Sequence, residues 1–179
     1  MESLRGQLLL AAAGLWDPNF RKTIVLIGHH DEEGAVGVVL NRSTDVSVAE
    51  AVPSLAGLVP PDEPLFIGGP VQPEAAVVLA EFEDPSVAGI LALDSIGFLP
   101  EEVDADQVEG IRRARVFSGY SGWGAGQLEA ELEEGSWIVE PALPDDVFSD
   151  PDGLWDRVLR RKGGEFAILR TMPVDPTQN

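Results

Sequence analysis

The sequence contains no cysteine and few basic residues. Its 179 residues include 12 Lys and Arg, 31 Asp and Glu, and 2 His. Without cysteine the chain can form neither a disulfide framework nor a thiolate metal site, and it has no cysteine nucleophile. P-loop, dinucleotide-binding, EF-hand and zinc-finger spacings are also missing. We therefore expect no metal and no cofactor.

Long apolar runs are missing too. No run approaches the roughly 18–20 apolar residues that span a bilayer. The early apolar stretch from Leu8 to Leu15 lacks a basic segment before it, because Glu2 offsets Arg5. A signal peptide is therefore not expected, and we predict a cytoplasmic protein that does not bind membranes.

The formal net charge is −19. Such a field repels phosphate backbones, so direct binding to nucleic acid is disfavoured. The excess of acidic residues could form a solubilising surface. Alternatively, it could attract a basic partner or divalent cations. The apolar fraction of 44% is typical of a globular chain. Its length predicts one domain over residues 1–172, followed by a frayed tail over 173–179.

Short strand patterns alternate with separated helix patterns. Connections too short for a helical crossover join Thr23–Ile27 to Val36–Leu40, which predicts an antiparallel pair. A second such pair is expected between 65–67 and 76–80, around Gly68-Gly69-Pro70. Hairpins with helices elsewhere favour an α+β fold over a doubly wound parallel sheet.

Three helices are predicted outside the glycine-rich region. The first begins at an N-cap, Ser47, with Glu50 completing a capping box. The second covers Asp104–Arg112, with an acidic start and a basic end. The third covers Asp152–Lys162 and places its apolar side chains on one face. The side chains expected on that face are Leu154, Trp155, Val158 and Leu159.

The most distinctive stretch runs from Gly119 to Glu129, with glycines at 119, 122, 124 and 126 around Tyr120 and Trp123. It lies where an expected strand gives way to a helix starting near Ala125. Its backbone N–H groups could hold a phosphate or carboxylate. Alternatively the glycines form a tight turn and Trp123 fills the core. The carboxylates of the following helix lie toward its C-terminus, which leaves its start open to an anion.

Other residues carry weaker signals for chemistry. Ser121 lies on this elbow, but the spacing of a nucleophile elbow would need glycine at Trp123. His30 is a candidate acid or base. Because His29 and His30 are neighbours on a strand, they point to opposite faces and cannot readily bind one metal ion. His30 together with residues 31–33, all acidic, could hold a cation weakly, and a solvated hairpin tip is the alternative.

Two further turns are candidate ligand contacts. Asn41 and Arg42 end a strand and offer an amide and a guanidinium to an anionic group. An ion pair between Arg42 and a loop carboxylate is the alternative. Gly68 and Gly69 would let the backbone approach a ligand closely, or they form a strained connection.

Together these motifs resemble the AlgH/YqgE family of bacterial proteins over about residues 5–170. The blocks that carry the resemblance are 17–20, 30–42, 68–71, 119–132 and 136–137. The resemblance implies a mainly antiparallel, bent and bifurcated sheet that curls toward a barrel and is surrounded by helices. Members are commonly labelled putative transcriptional regulators. The family usually carries alanine where Ser121 stands, which weakens a nucleophile role.

Three functions follow. The first is a non-enzymatic binding or regulatory protein acting through a small anionic ligand or a protein partner. Its candidate site comprises Asn41, Arg42, Gly68, Gly69, Gly119, Gly122, Trp123, Gly124 and Gln127. The second is an enzyme using the same pocket, with His30 or a carboxylate as acid or base. The third is a regulator in direct contact with DNA. The sequence leaves the oligomeric state open.

Overall fold

Ten strands and four short helices form the described part of this computed structural model, residues 2–12, 22–100 and 108–163. The strands are β1 (Gln7–Ala11), β2 (Ile24–Asp31), β3 (Gly34–Val39), β4 (Ser43–Ser47), β5 (Pro64–Ile67), β6 (Val71–Phe82), β7 (Ile90–Leu93), β8 (Ile96–Phe98), β9 (Ile111–Gly124) and β10 (Trp137–Pro141). The helices are α1 (Val48–Ala51), α2 (Gln127–Glu133), α3 (Pro144–Phe148) and α4 (Leu154–Lys162), and 3-10 turns cover Pro53–Leu58 and Pro85–Val87.

The strands form one open sheet in the order β10-β1-β2-β3-β9-β6-β8-β7, with β4 and β5 on a branch from β9. All pairings are antiparallel except that of β5 with β9. β7 packs back against β2 without pairing to it among the strands that the structure describes. The fold is therefore α+β with a bent, mainly antiparallel sheet. The helices are few and short, and the surrounding helical layer implied by the resemblance stays a prediction.

The longest strand, β9, is the point where the sheet divides. Along one edge, its C-terminal part pairs with β3 through Ser121–Gly124, and its middle pairs with β5 at Phe117 and Ser118. The other edge pairs with β6. The prediction that β5 and β6 pair with each other is therefore wrong, because β9 lies between them.

The chain passes from one edge of β9 to the other through Gly68 and Gly69. The Gly68 N–H donates to the Ser118 carbonyl, and the Gly68 carbonyl accepts from the Val39 N–H, each at 2.9 Å. A Cβ on Gly69 would lie 2.3 Å from the Tyr120 carbonyl carbon, and one on Gly119 would lie 2.6 Å from the Gly69 oxygen. Backbone therefore packs directly on backbone at this crossing.

Part of the sheet is buried on both faces. Along β2, Ile24 and Leu26 belong to one buried apolar cluster, whereas Val25 and Ile27 belong to another. This explains why the strand reads as a continuous apolar run instead of alternating with polar residues. A third cluster lies around Val78, Phe82 and Val116.

The helix predictions are confirmed in part. The Ser47 hydroxyl accepts from the Glu50 N–H at the start of α1. α4 matches its predicted range from Leu154 onward and buries the expected apolar face. The helix predicted over 104–112 is wrong at Ile111 and Arg112, which begin β9. Its residues 104–107 and the tail predicted at 173–179 lie outside the described ranges.

The hairpin between β2 and β3 is antiparallel, as predicted. Its connection is shorter than the gap between the two predicted strands. Asp31 pairs directly with Gly34, so Glu32 and Glu33 alone form the turn and both histidines lie in β2. No helix in the described ranges is long and apolar enough to cross a membrane.

Replacing Gly119 with alanine is expected to destabilise the fold by about 3 kcal/mol, because an L-residue there is strained and overpacked. Gly119 has φ +71°, and its added Cβ would meet the Gly69 and Val71 carbonyl oxygens. The control is Gly57→Ala, where an added Cβ meets nothing within 4 Å. Urea unfolding would contradict this account if both variants were equally stable.

Candidate functional site

The glycine-rich block is a strand rather than a turn. β9 continues to Gly124, and the turn is confined to Ala125 and Gly126 before α2 begins. The Gly124 N–H donates to the Gln127 side-chain oxygen at 2.9 Å. The side chain of Gln127 therefore satisfies a backbone donor that was expected to face an anion.

Trp123 is buried in a polar network centred on Glu131. Its indole N–H donates to Glu131 Oε1 at 3.0 Å, and the Trp137 indole donates to the same oxygen at 2.9 Å. Gln127 Nε2 donates to Glu131 Oε2 at 3.0 Å. The two indole rings meet nearly edge to face, with centroids 6.1 Å apart. Glu131 thus fastens α2 to β9 and β10, a role that sequence reasoning missed.

His30 is buried on the same face as Trp123, with a side chain only 3% exposed. The Leu4 N–H donates to Nδ1 at 2.9 Å, so Nδ1 carries no proton. The ring proton therefore lies on Nε2, which donates to Glu129 Oε1 at 2.6 Å. Both nitrogens are engaged within the protein, and neither faces a substrate in this arrangement.

The same contact stabilises the ionised form of the Glu129 carboxylate. The hydrogen bond from His30, with a smaller contribution from the Glu129 backbone N–H, lowers the pKa of Glu129. His30 and Glu129 therefore join the β2–β3 hairpin to α2, and Leu4 joins the N-terminal segment to both.

Of the remaining predicted site residues, the structure brings Gly68, Gly69 and Gly119 together at the β9 crossing, with Arg42 beside them. Gly68 and Gly69 contact the backbone of 119–121, and the Ile67 N–H donates to the Arg42 carbonyl at 2.9 Å. The Asn41 side chain accepts from the Ile24 N–H and donates to the Lys22 carbonyl. The Gly68–Gly69 connection and the glycine-rich part of β9 thus meet as packed backbone. Ligand binding by these residues stays a prediction.

Ser121 lies inside this packing. It is fully buried, and its hydroxyl donates to the Gly68 carbonyl at 3.1 Å. The hydroxyl joins β9 to the segment that connects β5 and β6, and its burial gives it no access to a substrate.

An open cleft of about 720 Å³ lies on the face of the sheet that faces away from α2. Its floor follows the cross-strand register: His29 is opposite Val36, and Val36 is opposite Gly122. On the other face the same strands place His30, Ala35 and Trp123 beneath α2. The adjacent histidines therefore point to opposite faces, as predicted.

The walls of the cleft are mainly apolar. A glycine at position 28 lets the Phe98 ring lie against β2, since a Cβ there would be 2.3 Å from that ring. Two exposed apolar side chains, Val36 and Ile90, face the space. The described residues that line the cleft are Gly28, His29, Val36, Ser54, Leu55, Gln72, Ala76, Val77, Val78, Gly89, Ile90, Phe98, Leu99, Pro100 and Tyr120. Sequence reasoning missed this site because its residues come from segments far apart along the chain.

A second, acidic concavity lies around the buried histidine. It is lined by Ser3, His30, Asp31, Glu32, Glu33, Gly126 and Glu129. No group of three or more His, Asp or Glu side chains in the described ranges is arranged to hold a metal ion.

Several basic side chains donate hydrogen bonds to acceptors within the protein. The Arg115 guanidinium donates to the carbonyls of Val147 and Ser149 at 3.0 Å, and burial lowers its pKa. Arg161 binds both oxygens of Asp146 at 2.8 Å, and Lys162 donates to the Val139 carbonyl. These cations fix α3 and α4 to the sheet.

The family is decided by comparison with known proteins. A model described as AlgH-like matches residues 8–167. The chain belongs to the AlgH-like family. The resemblance found in the sequence motifs is thereby confirmed.

Relatives and solved structures agree with this membership. The UPF0301 protein of Thermobifida fusca is 42% identical to this AlgH-like chain, covering 99% of it and 96% of the relative. A crystal structure from Corynebacterium diphtheriae has a TM-score of 0.85 at 27% identity, covering 96% and 94% of the two chains. The solution structure of the AlgH protein from Pseudomonas aeruginosa has a TM-score of 0.74 at 30% identity, covering 96% and 95%. None of these names states an activity.

Replacing Glu131 with glutamine is expected to lower the free energy of unfolding by about 2 kcal/mol. An amide places a donor where the carboxylate accepted from Gln127 or from the two indoles. Urea unfolding followed by tryptophan fluorescence measures the loss. Glu133→Gln, an exposed position on the same helix, is the control, and equal stability of both variants would contradict the role of Glu131.

The lowered pKa of Glu129 predicts a pH dependence. A carboxyl group whose pKa is lower in the folded state stabilises that state above its unfolded pKa, and this stabilisation is lost as pH falls through the folded value. Glu129→Gln should therefore flatten the loss of stability below the ordinary glutamate value of 4.5. Unfolding curves between about pH 5 and 2.5 measure this slope, which Glu133→Gln should leave steep. An unchanged slope in Glu129→Gln would refute the contribution of Glu129 to this pH dependence.

Proposed function

We propose that this AlgH-like protein is a non-enzymatic binding protein whose site is the apolar cleft between the β2–β3 hairpin, β6 and β8. The cleft volume of about 720 Å³ carries the proposal. Small-molecule sites usually measure about 300–1,000 Å³, with apolar walls and a few polar groups that orient the ligand. His29, Ser54, Gln72 and Tyr120 would supply those groups here.

The cleft is favoured over the glycine-rich crossing as the binding site. At the crossing, the close approach of two backbones fills the space that a ligand would need. The cleft, by contrast, opens beside Tyr120, the neighbour of Gly119 and Ser121 in β9. The small anionic ligand expected at the crossing and a protein partner stay predictions.

The alternatives have less support. An enzyme using His30 would need Leu4 or Glu129 to release one ring nitrogen. A regulator in direct contact with DNA would need a basic surface, whereas the net charge is −19 and Arg113, Arg115 and Arg161 bind acceptors within the protein. The cytoplasmic location is likewise a prediction from composition.

The cleft can be tested with N-phenyl-1-naphthylamine, an uncharged apolar fluorophore whose emission rises in apolar surroundings. We expect saturable binding to the wild-type protein. Ala76→Phe, at an exposed position that lines the cleft, should weaken binding at least about tenfold by filling the space.

The matched control is Ala130→Phe, which adds the same ring at an exposed position on α2, the helix that packs on the other face. It should leave the affinity for the fluorophore unchanged. Linear, unsaturable emission from the wild-type protein, or equal affinity in both variants, would refute the cleft as the binding site.

A further inference from the structure

A formal charge lies beside the cleft where His29 meets Asp31. Within the described ranges, the residues that line the cleft include no Lys, Arg, Asp or Glu. Among these described residues, the titratable side chains are His29 and Tyr120. His29 Nε2 lies 2.8 Å from Asp31 Oδ2, so the Asp31 carboxylate, which also lines the acidic concavity, is hydrogen-bonded directly to a side chain of the cleft wall.

The Asp31 carboxylate is held in place by two donors. Oδ2 contacts His29, and Oδ1 accepts from the Glu33 N–H at 2.8 Å. These bonds lower the pKa of Asp31, the His29 contact contributing most. Asp31 therefore stays ionised at neutral pH. Its side chain is 46% exposed.

The surroundings strengthen the negative potential at this end. Glu32 and Glu33 follow Asp31 at the exposed hairpin tip, and the whole chain carries a net charge of −19. Apolar walls focus such a field into a cleft because they screen it poorly. An anionic ligand would be repelled there, and a neutral ligand would gain only from burial of its apolar body.

We propose that the cleft binds an apolar organic cation, with its hydrocarbon or aromatic body among the apolar walls and its ammonium group at Asp31. The inference rests on the proposed function of the cleft. An ammonium offers three donors and a carboxylate accepts through two oxygens, so the cation can share Asp31 with His29. Apolar body and charged end together define the ligand class.

Three ligands with the same body and different end groups test the charge preference: 4-phenylbutylamine, 4-phenylbutan-1-ol and 4-phenylbutyrate. Affinities are measured by NMR titration of the full chain at low ionic strength. We expect the amine to bind about two- to fivefold more tightly than the alcohol, and the carboxylate to bind most weakly. The preference for the amine should shrink at about 0.5 M salt.

Asp31→Asn tests the residue assignment. It should bring the amine's affinity close to the alcohol's while leaving the alcohol's own affinity unchanged. Glu133→Gln makes the same change in net charge, from −19 to −18, on α2, which packs on the other face, and it should retain the preference for the amine.

The outcomes separate the two proposals. If none of the three ligands perturbs the cleft residues, the proposed binding function fails and the charge inference fails with it. If the alcohol or the carboxylate binds as tightly as the amine, the binding site stands and the cation inference is overturned. If Asp31→Asn keeps the full preference for the amine, the assignment to Asp31 is overturned.

Discussion

The fold depends on backbone packing against backbone where the chain crosses β9. Gly68 and Gly69 touch the backbone of 119–121 at distances that leave no room for a Cβ. This contact lets β5 and β6, which are close in sequence, pair with opposite edges of one strand. The division of the sheet at β9 follows from that crossing.

The two faces of the sheet then have different fates. Beneath α2, Glu131 holds the indoles of Trp123 and Trp137, and His30 is fixed between Leu4 and Glu129. On the other face, His29, Val36 and Tyr120 line an open cleft. Both faces bury apolar clusters, but only beside His29, Val36 and Tyr120 does the described part of the sheet leave the cleft that the proposed function uses.

Local sequence patterns predicted the local structure well. The Ser47 cap, the apolar face of α4 and the antiparallel β2–β3 pair each depend on residues close together in the chain. The β9 crossing and the cleft depend on contacts between distant segments, which periodicity does not encode. The glycine-rich block, which the sequence predicts to be a strand-to-helix turn, is a strand up to Gly124 because it pairs with β3 and β6. The spacing of Gln127 and Glu131, four apart on a helix, was a usable signal for the indole network.

The pairing of β1 with β10 has a consequence for folding. Gln7 lies opposite Pro141, and Ala11 lies opposite Trp137, so a strand near the start of the chain needs a partner from near its end. During synthesis, one edge of β1 lacks this partner until residues 137–141 have left the ribosome. Such long-range pairing slows folding and exposes an apolar strand edge in the meantime. Completion of this sheet is therefore a late event in the life of the nascent chain.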